Sequence, residues 1–79
     1  MPRKIPALKP REFIRLITSM GCTFWREGKG DHRLYVREVG SQRRIVPIDM
    51  GADEFSPVFV LRMLRQFGFS DAEIEALFQ

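Results

Sequence analysis

The chain has 79 residues, 44% hydrophobic and 29% charged, with a formal net charge of +3. That suffices for one small domain, expected over residues 1–79, with a modest core. It excludes a bilayer-spanning helix, because no apolar run approaches the roughly 20 residues required. The basic opening MPRKIPALKP leads into no apolar stretch, so no signal peptide is expected. The lone Cys22 rules out an internal disulfide and a cysteine-based zinc site, and a reducing cytoplasm is the expected compartment. Charge is unevenly placed. Residues 1–44 carry eleven Lys and Arg against four Asp and Glu, whereas residues 45–79 carry two against six. A basic front and an acidic back point to a polyanionic partner for one face.

Residues 1–8 contain two prolines and read as an extended arm. Pro10 suits a first helical turn. Phe13, Ile14, Ile17 and Met20 recur at helical spacing, and Gly21 supplies the stop. CTFWRE, HRLYVRE and RRIVPI read as three strands, separated by the turns GKGD and VGSQ. Pro47 marks the third strand as ending there or lying at an edge. DMGADEF is a loop, and its Asp49, Asp53 and Glu54 read as solvated charge; no metal site and no cofactor are expected. Ser56-Pro57 caps a second helix with Val58, Leu61, Met63, Leu64 and Phe67 as its buried stripe, ended by Gly68. Ser70 with Glu73 forms a capping box for a last short helix carrying Ile74, Leu77 and Phe78. The α-β-β-β-α-α order predicts an α+β fold: a three-stranded antiparallel sheet with helices on one face and the other face left open.

Alternation along the second strand separates His32, Leu34 and Val36 from Arg33, Tyr35 and Arg37. Leu34 and Val36 mark the expected core side. The opposite face then presents Arg33, Tyr35 and Arg37, joined by Trp25, as a platform on which bases stack and guanidiniums meet phosphates. The competing reading packs Trp25 under a loop. Parity puts His32, the single histidine, on the core side at a helix edge. Its place as first strand residue, directly after a turn holding Gly28, Lys29 and Gly30, gives a second reading: the imidazole leaves the layer where glycines allow a polyanion to approach.

The segments LKPREFIRLI, MGCTFWREGKGDHRLYV, IVPI and FSPVFVLRMLRQFGFSDAEIEAL, in this order and spacing, resemble the HicA-type mRNA interferase toxins of bacterial and archaeal toxin–antitoxin pairs. The likeness runs over residues 5–78. GKGDH, between the first two strands, carries most of it, since the family has a glycine-rich turn ending in a histidine. Many members have Ser before that histidine; this chain has Asp31. The resemblance implies a double-stranded-RNA-binding-domain-like fold, here with a short extra C-terminal helix. It also implies a ribonuclease dependent on His32 and inhibition by a HicB-type antitoxin.

Metal-free RNA cleavage uses the 2′-hydroxyl as nucleophile, so a base must take its proton and an acid must protonate the departing 5′-oxygen. An imidazole can serve either step at neutral pH. One histidine leaves the second role to solvent, to Tyr35, or to Lys29 or Arg33 acting on phosphate charge. Asp31 is a candidate to orient the ring. The expected RNA contacts are Gly28, Lys29, Gly30, Arg33, Tyr35 and Arg37, with Arg43 and Arg44 as further phosphate candidates on opposite faces. The expected partners are mRNA and a HicB-type antitoxin, with no membrane and a monomer when free. Two alternatives remain: a non-catalytic RNA-binding domain of the same fold, and a protein-binding domain whose basic face meets an acidic partner.

Overall fold

Proline at a first helical turn has its φ already set and no hydrogen bond to lose. Both long helices begin that way. A computed structural model describes residues 4–79 and gives, in chain order, α1 (Pro10–Ser19), β1 (Thr23–Glu27), β2 (His32–Val39), β3 (Gln42–Asp49), α2 (Pro57–Gln66) and α3 (Asp71–Leu77). Of the arm expected over residues 1–8, residues 1–3 lie outside the described residues. Its end is pinned: Leu8 and Phe55 exchange both backbone hydrogen bonds, at 3.1 and 2.7 Å.

The three strands form one antiparallel sheet in the order β1-β2-β3. The turn between β2 and β3 is only Gly40–Ser41, with Gly40 at φ 59° and no positive φ at Ser41. Glycine at the first central position of a two-residue turn is the II′ signature, whose twist suits a hairpin. It fixes Val39 opposite Gln42 and hence every pair behind it, including Val36 with Ile45, Tyr35 with Val46 and Arg33 with Ile48. Pro47 lies on an edge strand, as expected, and β3 runs past it to Asp49.

Register decides which face is covered. Val46 and Ile48 are buried in the core with Phe13 and Ile17 of α1, Val60 and Leu64 of α2, and Ile74 of α3. Cross-strand partners share a face, so Arg33, Tyr35 and Arg37 point toward the helices. This reverses the parity expected from the sequence. The misreading has a plain cause: Tyr35 and Val36 are 7% and 6% exposed, so both parities are buried mid-strand and neither stands out as apolar. His32, Leu34 and Val36 instead share the sheet face that no helix covers.

In α2 the stripe is Val60, Leu61, Met63 and Leu64, continued by Phe67. Val58 is not part of it and is 64% exposed. At about 100° per residue it lies about 120° around the helix from Leu64. The Ser70–Glu73 capping box forms as expected, with Ser70 N donating to Glu73 Oε1 at 2.8 Å and Glu73 N to Ser70 Oγ at 3.1 Å. At the start of α1, Glu12 Oε1 accepts from Lys9 N at 2.8 Å.

Candidate functional site

The Gly28–His32 turn is closed by its own backbone. Gly28 N donates to the His32 carbonyl at 2.8 Å, and His32 N donates to the Lys29 carbonyl at 3.1 Å. The half-buried His32 ring sits with Nδ1 3.2 Å from that same Lys29 oxygen. A carbonyl only accepts, so Nδ1 is the donor in this contact, and the neutral tautomer that makes it carries its lone pair on Nε2. Glycine at position 28 belongs to this geometry: a Cβ there would stand 3.3 Å from the His32 Cβ and 3.4 Å from its carbonyl oxygen. Gly30, at φ 58°, takes the left-handed step of the turn.

Asp31 does not orient the ring. Its carboxylate lies against Gly51, where an added Cβ would come within 2.5 Å of Oδ2. Its carbonyl accepts from Met50 N at 2.9 Å. Asp49, opposite His32 in the ladder, has its Oδ1 taken by Gly51 N at 2.9 Å. Both acids thus tie the site to the turn after β3.

The expected RNA contacts separate into two sets. Gly28, Lys29 and Gly30 stand with His32, and Lys29 is exposed. Arg33, Tyr35 and Arg37 lie on the helix side instead. Arg33 pairs loosely with Glu27 at 3.8 Å and borders a shallow cavity at the start of α1 with Lys9 and Arg11. Tyr35 is a core residue in edge-to-face contact with Phe24, centroids 5.7 Å apart. Arg37 is an internal staple. Its Nη1 donates to the Phe67 carbonyl at 3.0 Å, its guanidinium lies 3.9 Å over the Phe69 ring, and its Nη2 meets Glu73 at 3.6 Å. Arg44 shares the helix side with Arg37, and Arg43 lies on the open side.

The open face, one of the two places expected for Trp25, carries it in company with Arg26 and Arg43, a grouping that the sequence did not foresee. The β1–β2 register shifts between Phe24 and Arg26: Phe24 faces Tyr35, yet Arg26 faces Leu34. One residue is therefore extra, and Trp25 and Arg26 both emerge on the open side. A bulge re-aims side chains in this way. Trp25 is 39% exposed, with the Arg26 guanidinium 4.3 Å and the Arg43 guanidinium 4.8 Å from its ring centroid. Trp25 of β1 and the Arg43 side chain of β3 thus meet across the open face, on which Val36 of β2 is 6% exposed.

The family described as the HicA toxin of bacterial toxin–antitoxin systems matches residues 10–69. The chain belongs to the HicA toxin family. No curated protein and no solved structure gives a significant match. As a HicA toxin the chain is the toxic member of a pair, and an antitoxin is its partner. The matched segment opens on the first residue of α1 and contains the Gly28–His32 turn, all three strands and α2; α3 lies beyond it. No group of three or more His, Cys, Asp or Glu side chains suited to a metal ion occurs among the described residues. No helix among them is long and apolar enough to cross a membrane.

Proposed function

We propose that this HicA toxin is a metal-independent endoribonuclease that cleaves mRNA with His32 and is silenced by a HicB-type antitoxin. The observation that supports it most is the hydrogen bond from His32 Nδ1 to the Lys29 carbonyl, which leaves Nε2 as the free base of the ring. Nε2 takes the proton of the 2′-hydroxyl while the 2′-oxygen attacks the adjacent phosphorus. The bond from phosphorus to the 5′-oxygen breaks, and that oxygen takes a proton from water. The products are a 2′,3′-cyclic phosphate and a 5′-hydroxyl. Lys29, exposed in the same turn, stands where its ammonium can offset charge on the phosphate, with Gly28 and Gly30 leaving room for the backbone. Tyr35 and Arg37 act here through the fold, not by touching RNA, and Arg33 is a more distant phosphate contact. The toxin works in the cytoplasm as a single domain, a monomer when free, with a fold of the double-stranded-RNA-binding-domain kind.

His32→Ala tests this reading. Cleavage of a generic mRNA by the purified chain falls at least about 100-fold, the low end for losing a general acid or base, while the urea midpoint and RNA affinity change little. Chelator leaves the parental rate unchanged. Equal cutting by parent and variant makes His32 structural, and an RNA that is bound but cut by neither makes the domain a non-catalytic binder.

A further inference from the structure

We infer that the uncovered face of the sheet carries a stacking subsite for an unpaired RNA base, built from Trp25 with Arg26 and Arg43. The inference rests on the ribonuclease reading and specifies the substrate strand: single, with bases turned outward. Three observations carry it. The bulge in β1 turns Trp25 and Arg26 to the same side, against the alternation of the strand. Both guanidiniums lie on the indole, and neither Arg26 nor Arg43 has a carboxylate within ion-pair distance among the described residues. The carboxylates on this face, Glu38 and Asp49, sit at its two ends, opposite Arg43 and His32 respectively.

The chemistry selects the occupant. An indole with two uncommitted guanidiniums offers a π-face for a base and positive charge for the phosphate beside it. An entering base displaces one guanidinium from the ring, and that guanidinium, free of any acid, turns to the phosphate. A duplex keeps its bases stacked inside and offers the indole nothing. An acidic protein surface would satisfy the arginines but leave the ring in water. Trp25 lies in the bulge between Phe24, opposite Tyr35, and Arg26, opposite Leu34, so it stands two to three residues along β2 from His32, or about 7–10 Å. The base it holds therefore belongs to a nucleotide beyond the scissile bond. Such a subsite positions a single strand with little preference for base identity.

Trp25 is the only tryptophan in the chain, so its fluorescence reports on this site directly. The experiment titrates the His32→Ala chain, which leaves RNA uncut, with a mixed-sequence single-stranded oligonucleotide and with the same strand annealed to its complement. The single strand quenches the indole saturably and the duplex does not. In the same background, Trp25→Leu weakens single-strand binding at least ~10-fold, Trp25→Phe retains most of it, and Arg43→Gln lowers the salt dependence. Unchanged fluorescence at saturation, equal quenching by duplex, or full affinity in Trp25→Leu overturns the subsite. So does quenching by the antitoxin with none by RNA, which would make the face a protein interface. Cleavage lost in His32→Ala with affinity intact in Trp25→Leu removes the subsite and keeps the nuclease. The converse, stacking without cleavage by the parent, keeps the subsite and removes the nuclease.

Discussion

Arg37 and Cys22 each do something a residue count does not foresee. Arg37 joins β2 to the α2–α3 connection through the Phe67 carbonyl, the Phe69 ring and Glu73. A mostly buried guanidinium with a short carbonyl acceptor is worth more than a surface ion pair. Arg37→Met is therefore expected to cost ~1–3 kcal/mol in urea unfolding, whereas Arg43→Gln stays within about 0.5 kcal/mol of the parent. Cys22 is buried, and that burial pushes its thiol up to about 11, with Arg37 pulling slightly the other way. Only the thiolate reacts, so alkylation of native protein at pH 8 should run at least ~100-fold slower than alkylation of unfolded chain. A comparable native rate would mean that this end of the core opens readily. His32 was legible as the residue to single out because glycines precede it and no other histidine competes. The direction of its ring was not, since that depends on the carbonyl of Lys29 and on a sheet parity hidden by burial on both sides of β2.

At the scale of elements, helices were easier to read than strand faces. Pro10, Ser56-Pro57, Gly68 and the Ser70–Glu73 pair are local signals, and each acts within a few residues of itself. The strand faces depend on pairing. The Gly40–Ser41 turn held the needed information, since its length carries Tyr35 opposite Val46, and Val46 with Ile48 is the purer apolar pair. The bulge at Trp25 has no comparable sign, because it arises from the mismatch of two strands and not from either alone. The capping box gives a pH prediction. Glu73 is held below the usual carboxylate range, first by the Ser70 backbone N–H, then by the Ser70 hydroxyl, with help from Arg37. A carboxyl depressed in the folded state stabilises it fully above the unfolded value near about 4.3 and loses that contribution as pH falls through the folded value. Glu73→Gln should therefore flatten the stability profile in that acid window and leave its shape near neutral pH unchanged. A parallel loss at every pH would assign Glu73 to packing instead of charge.

The whole molecule measures 34 × 32 × 17 Å, a slab one helix layer and one sheet layer thick. Its outer sheet face bears Trp25, Arg26 and Arg43, and the hairpin end bears Lys29 and His32. RNA affinity should fall steeply with salt, and each phosphate-contacting Lys or Arg replaced should lower the slope of log affinity against log salt by about 0.7 on a single strand. Arg43→Gln is expected to show this change, and Arg37→Met is not. An antitoxin that covers the hairpin end and this face should compete with RNA. Comigration of toxin, antitoxin and RNA as one species would place inhibition elsewhere.

A three-stranded sheet with a bare face and two free edges is also a template on which another strand can grow. Along β3, Pro47 removes one outward N–H from the edge ladder. Along β1, the bulge at Trp25 breaks the even spacing that a docking strand would have to match. Arg26, Arg43 and Lys29 add like charge to that side of the molecule. A chain with a bare sheet face must stay dispersed, and the same departures from a regular strand that set out the indole also resist self-association. Smoothing β1 into an even edge would therefore remove two things together: the proposed grip on a loose strand of RNA and the protection against stacking with its own kind.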